Sequence, residues 1–412
     1  MSRFIALRSS CFTVLIVFLA TATLLSQNDV KKIKILESNN YYVSSKYKRL
    51  VLAPDVSAPE LVQVREYVSS KVAMKGMRDT QQIFRIAAWF HSIMRHNGGI
   101  QPPQSFNHLD LLRLSESGLQ TLRCQDMAQL LSDVLVAFGH VSRPVAIQTR
   151  DAAYGMAGSG HVVTEVWSND VRAWIMIDPQ FGVVCKNKDT FLNTYAILTR
   201  TDDMRVQRLS TITGLTKAMT GDTLPAWYKN FIRSYNGSIQ MQMLKHGTVL
   251  YTMILGLRNH DQYLTFQGLP IDNTMFTTSY EDLYFDVNRV MLFFSYINHP
   301  EQQTEVFTKP HTLQEHQQAL RRFAAKPEYT VHFEQTMPWI KSIALSLNDT
   351  ESSVITSFDD DLPILLKPSI NTVVATPLNK LGIAGLITKM KIFYGSDQEF
   401  DKYVMAGSTY IK

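Results

Sequence analysis

Cysteine is scarce in this chain. Of Cys11, Cys124 and Cys185, the first falls in an apolar N-terminal stretch, so a disulfide framework is excluded and at most one bridge, Cys124 to Cys185, stays open. Beyond that stretch long hydrophobic runs are missing too: the longest, near Val249 to Leu257, is too short to span a bilayer and reads as buried core. Basic runs interleaved with aromatics are absent, and the net charge of +5 is spread along the chain, which argues against nucleic acid as a partner. There is no internal repeat and no low-complexity tract. His91 and His96 stand five apart, a spacing that does not stack them on one helix face, so no metal site is expected, and no cofactor.

What is present is enough apolar material for more than one core: 412 residues, 45% of them hydrophobic, imply two ordered domains. Arg3 and Arg8 precede the apolar stretch from Cys11 to Leu25, with Ala20 and Ala22 spaced for signal peptidase, so residues 1–26 read as a signal peptide or an N-terminal membrane anchor. As a helix that stretch covers only about 22 Å of a roughly 30 Å hydrocarbon core, favouring cleavage. The Lys31, Lys32 and Lys34 that follow favour retention. Either way the body is expected outside the cytoplasm, secreted or periplasmic, with membrane attachment only through this segment.

Helical spacing dominates the first part of the body. Ile83, Ile86, Ala87, Phe90 and Met94 make one apolar stripe. From Cys124 onward Met127, Leu130, Leu131, Val134, Leu135 and Phe138 make another, with Gly139 where a C-terminal cap belongs. Three strand-like runs follow, Pro144 to Thr149, His161 to Trp167 and Ala173 to Asp178. Helices and then an antiparallel sheet predict an α+β domain over residues 40–195. Residues 196–271 are a connecting region with no assignment. Residues 272–412 alternate as Tyr329 to Gln335, Ile340 to Leu347 and Lys389 to Tyr394 do, predicting a β-sandwich, with one helix capped by Thr312 and Glu315 and stopped before Pro327.

Cys124 opens its helix, and unpaired N–H groups together with the helix dipole push a thiol in that position toward thiolate. The same N–H groups can receive a developing oxyanion. A nucleophilic cysteine needs a base, and the base a third group to orient it. If Ser168 to Val171 form a four-residue loop, Trp167 pairs with Arg172 and His161 falls directly opposite Asp178, within reach of a carboxylate–imidazole bond. Period-two alternation adds Glu165, Trp167 and Trp174 to the same face as neighbours of the site, and Gln125 follows the nucleophile. For the two tryptophans ordinary sheet packing is an equal reading.

The segments "CQDMAQLLSDVLVAFGHVSRPV", "HVVTEVW" and "WIMIDPQFG" resemble, in order and spacing, the three consecutive motifs of the transglutaminase-like superfamily. The resemblance covers roughly residues 60 to 190. It implies an α+β papain-like core whose Cys-His-Asp triad falls on Cys124, His161 and Asp178, although Leu122 stands where family members often carry glycine. The C-terminal part is similar to immunoglobulin-like or fibronectin-like sandwiches, as "NKLGIAGLITKMKIFY" suggests. The expected activity is thus an exported thiol enzyme acting on amide bonds of a peptide, a protein or a cell-envelope polymer, with hydrolysis favoured over glutamine cross-linking. A catalytically silent envelope-binding scaffold is the alternative of another class.

Overall fold

The computed structural model describes residues 30–43, 54–103, 105–150, 152, 160–199, 203–217, 221–245, 249–257, 274–295, 308, 312–324, 326–358 and 360–406. The expected export segment lies outside them, and among the described residues no helix is long and apolar enough to cross a membrane.

A short strand, β1 (Lys32–Ser38), leads into four helices: α1 (Pro59–Lys71), α2 (Asp79–Ile93), α3 (His108–Glu116) and α4 (Cys124–Ala137). Helix α4 forms where its apolar spacing predicts, with Met127, Leu130, Leu131, Val134 and Leu135 all buried. It stops at Gly139, whose φ of 82° suits only glycine without strain, and a Cβ there would lie 2.7 Å from Ile383 Cδ1.

The strands that follow build one large sheet. They are β2 (Ser142–Gln148), β3 (Gly160–Ser168), β4 (Ala173–Asp178), β5 (Val183–Asn187), β6 (Thr190–Phe191) and β7 (Met204–Arg208), with the helices α5 (Thr194–Thr199) and α6 (Leu209–Ile212) between and after the last two. The region 196–271, unassigned from sequence, continues the same unit with helix α7 (Leu224–Arg233) and strands β8 (Ser238–Lys245) and β9 (Val249–Gly256). Then β10 (Thr274–Thr277) adds to the sheet beside β9, in parallel. The order is β10-β9-β8-β2-β3-β4-β5-β6, with β7 also on β5. This is an α+β arrangement.

Strand parity splits the interior. Val166, Ile175, Ile177 and Val184 pack with helices α1 to α4 on one face. Val163, Trp167, Trp174 and Met176 face the other way, onto Tyr228 and Ile232 of α7. Each such fully buried large apolar side chain contributes roughly 1.5–3 kcal/mol of transfer free energy.

The C-terminal strands are β11 (Val290–Ser295), β12 (Glu328–Gln335), β13 (Ile340–Leu347), β14 (Ser353–Ile355), β15 (Leu362–Leu365), β16 (Ser369–Asn379) and β17 (Thr388–Gly395), with helix α8 (Leu313–Ala324) after β11 and α9 (Asp397–Met405) last. They form one sheet ordered β1-β17-β16-β13-β14 and another ordered β11-β12-β15. Val331 and Phe333 from the smaller sheet share a core with Ile343, Val373 and Ile392 from the larger.

The β3–β4 register differs from the sequence expectation. The loop is Asn169 to Arg172 rather than Ser168 to Val171, so Ser168 pairs with Ala173, Trp167 with Trp174 and Thr164 with Ile177. Long-range contacts select it: Asn169 N–H donates to Asp79 Oδ2 (2.7 Å), and Asp170 Oδ2 accepts from Thr80 N–H (3.0 Å), both at the start of α2. Arg172 takes the left-handed φ of 52° that closes the turn. The shift is two residues, an even number, so every side chain keeps its face.

Glu165 sits on the same face, fully buried, and its charge is met by Arg143 of β2. Arg143 donates from Nε (3.1 Å) and Nη2 (2.9 Å) to Oε2, while Oε1 accepts from Thr194 N–H (2.8 Å) and the Tyr284 hydroxyl (3.0 Å). The guanidinium lies 3.9 Å from the Trp174 ring centre and also donates to the Leu283 carbonyl (2.8 Å). Removing one charge of such a pair leaves the other buried and unpaired, at about 3–5 kcal/mol. Glu165→Gln should therefore lower unfolding stability by about that much in urea titration; a loss under 1 kcal/mol would show that the pair is not buried as described.

Candidate active site

Three elements meet at the start of β3. The first is the N-terminus of α4, where Arg123 occupies the capping position. Its side chain cannot accept a bond from the helix; it forks instead onto Asp126, Nε to Oδ2 at 2.8 Å and Nη2 to Oδ1 at 3.0 Å. The first-turn N–H groups are left to other acceptors. Cys124 uses this: the backbone N–H groups of Gln125 and Val162 both hydrogen-bond to its Sγ. Burial of the half-buried thiol pushes its pKa up, but the hydrogen bond and positive charge of His161, with those two N–H groups, bring it below the ordinary thiol value.

The second element is β3. His161 Nε2 lies 2.8 Å from Asp178 Oδ2, which leaves Nδ1 for the cysteine. Burial lowers the imidazole's pKa, but the charge and hydrogen bond of Asp178, together with Cys124, outweigh it and raise the value to about 10. Sulfur and imidazole thus favour the thiolate–imidazolium form. Given the observed register, Asp178 is the diagonal rather than the direct neighbour of His161, a distance an aromatic ring bridges.

The third element is the turn after β4. Asp178 is fully buried, and its carboxylate accepts four bonds. Oδ2 takes His161 Nε2 and the Tyr228 hydroxyl, each at 2.8 Å; Oδ1 takes the N–H groups of Gln180 (2.9 Å) and Phe181 (3.3 Å). The turn is pinned by His91, whose Nδ1 lies 3.0 Å from the Pro179 carbonyl and whose ring leaves no room at Gly182, where a Cβ would approach to 2.3 Å and φ is 62°. The role of His91 is thus to hold the segment that carries the carboxylate.

The aromatic shelter of His161 comes from residues that the sequence did not single out. Phe181, Phe231 and Tyr235 ring the imidazole with centroids at 6.1, 5.3 and 5.8 Å. Trp227, half exposed, stacks on Phe231 at 5.0 Å and carries the cluster to the surface. The expected neighbours lie elsewhere. Trp167 and Trp174 pack edge to face on each other at 5.9 Å, with their indole N–H groups on Asn169 Oδ1 and the Phe285 carbonyl. Glu165 is occupied by Arg143. Only Gln125 of that set adjoins the sulfur. His96, paired through its backbone with Leu122, is close enough that burial and the charge of His161 lower its pKa. Tyr228 and the Phe231 ladder had one faint signal, the aromatic spacing 227, 231, 235 on a helical pattern.

Cys124 and Cys185 are both free thiols, so the alternative bridge is not formed. Cys185 is buried on β5, and burial pushes its pKa far up, leaving it unreactive. Among the described residues no group of three or more His, Cys, Asp or Glu could hold a metal ion.

No protein-family model and no curated protein matches this sequence. Among solved structures, a crystal structure of red sea bream transglutaminase aligns over 81% of this chain and 72% of that one, at 8% identity and a TM-score of 0.22. At that score the likeness decides nothing about activity.

Tyr228→Phe removes a donor to a buried charge, a bond of about 1.5–3 kcal/mol, and should slow Cys124 alkylation by iodoacetamide at least ten-fold near neutral pH; an unchanged rate would show that Tyr228 does not hold Asp178. In the parent, alkylation should become fast at a lower pH than an ordinary thiol requires, because the thiol pKa is depressed, and should change again near pH 10, where His161 loses its proton. A single titration near pH 8.5, that of an ordinary thiol, would contradict the ion pair.

Proposed function

We propose that this chain is an exported thiol enzyme of transglutaminase-like architecture that acts on amide bonds, with Cys124 as nucleophile, His161 as acid and base, and Asp178 as the group that orients the imidazole. The observation that carries the reading is the continuous chain from a sulfur at a helix N-terminus, through a buried imidazole, to a carboxylate bonded at 2.8 Å. The Cys124 thiolate attacks the carbonyl carbon, a C–S bond forms, and the carbonyl electron pair moves to oxygen. First-turn N–H groups of α4 stabilise that oxyanion. His161 gives its proton to the departing nitrogen, the C–N bond breaks, and a thioester remains. Water then loses a proton to His161 and attacks the thioester, which releases the carboxylic acid and restores the thiolate.

Peptides or proteins of the cell envelope are the substrates in this reading, and the body works outside the cytoplasm behind its N-terminal export segment or anchor. The C-terminal pair of sheets is read as an immunoglobulin-like sandwich accompanying the catalytic unit. Hydrolysis is favoured because the triad needs only water to complete the cycle.

The test is a screen of the protein against peptide-amide and glutamine-amide libraries in the presence of a fluorescent primary amine. The expected outcome is release of ammonia or amine without incorporation of the fluorophore, reduced roughly 10³-fold or more by Cys124→Ala. Incorporation of the amine would instead assign cross-linking. Slow, equal alkylation of Cys124 in the parent and in His161→Ala, with no turnover, would identify a silent scaffold.

A further inference from the structure

Helix α4 packs on β2 and β3, and among the described residues a groove of about 190 Å³ runs between it and the adjoining β8 and β9. It lies beside Cys124: Gln125, the next residue of α4, and Val162, whose backbone N–H groups both help to lower the Cys124 pKa, are two of its lining residues. From there it passes Gln129, the next turn of α4, and reaches Gln240 and Gln242 on β8 and Thr252 on β9. None of the described residues that line it carries a charge.

Two of the four carboxamides are held in place by neighbours. Gln129 Nε2 donates to Asp133 Oδ2 at 2.9 Å, and Gln240 Nε2 donates to Gln148 Oε1 at 2.7 Å. A carboxamide offers one acceptor and two donors, the same groups that a peptide backbone presents in return. An ionised side chain would enter without a counter-charge and lose hydration that nothing here replaces. A site of this composition separates neutral from charged ligands by penalising the latter.

We infer that this groove is the specificity site for the substrate's polypeptide chain on one side of the scissile amide, and that it selects uncharged polar segments over acidic or basic ones. The inference rests on the reading of Cys124 as the nucleophile, because only then does a chain with its carbonyl at Sγ continue into the groove. Hydrogen bonds from the fixed carboxamides orient it, and the absence of charge sets the selectivity.

The experiment uses iodoacetylated tripeptide amides whose central residue is Gln, Glu or Lys, with rates of Cys124 alkylation each divided by the rate with iodoacetamide. The Gln probe should react at least ten-fold faster than either charged probe in the parent. In Gln242→Lys the Glu probe should overtake the Lys probe by at least ten-fold, and in Gln242→Glu the order should reverse. Gln242 is exposed, so neither change disturbs the core. Equal rates for the three probes in the parent, or an order untouched by both swaps, would overturn the assignment of the groove. A Cys124 that iodoacetamide labels no faster than an ordinary thiol at every pH would be a different result, overturning the nucleophile reading beneath it.

Discussion

A fully buried carboxylate has to be answered, and the fold around Asp178 is built to answer it. Its four hydrogen bonds come from three directions: the strand that carries His161, the helix that carries Tyr228, and the backbone of its own turn. An ionised group stripped of water without such partners would cost many kcal/mol. Satisfied in this way, it becomes a fixed negative charge that holds the imidazole in one orientation and keeps it protonated. The lowered pKa of the thiol at the start of α4 owes as much to the imidazole that this charge holds as to backbone N–H groups.

The layering of the domain follows the same logic. Even-numbered positions of β3 and odd-numbered positions of β4 close the helical core, and the alternate positions carry His161, Glu165 and Asp178 to the opposite face. Two buried acids on one face could be confused for each other's support. They are kept apart by partner choice: Asp178 binds neutral and histidine donors, whereas Glu165 is neutralised by Arg143 and serves to tie β2 and β3 to Thr194 and Tyr284. One is exploited for its field, the other for its pairing.

Much of this was legible locally. The stripe from Met127 to Phe138 and the strands flanking Asn169 to Arg172 are short-range patterns, and they fix helix α4 and the two strands that bring the histidine and the aspartate to one face. The register differs by two residues from the local expectation because the turn is chosen by Asp79 and Thr80, about ninety positions away. An error of one residue would have separated the pair; parity rescued it. What stayed illegible needs distant partners: Tyr228 reaching Asp178, Arg143 claiming Glu165, and β1 pairing with β17 across the whole chain. The glutamines of β8 are unreadable for another reason, since their meaning comes from a groove formed only when β8 is brought beside α4.

The central claim is that His161 carries its proton at neutral pH because Asp178 and the Cys124 sulfur hold it there. Nuclear magnetic resonance of the histidine rings between pH 5 and 11 measures this directly, with His161→Gln identifying the signal. The account predicts a charged imidazolium that persists through pH 8 and titrates near 10. A His161 ring that loses its proton near pH 6.5, as a free histidine does, would contradict it.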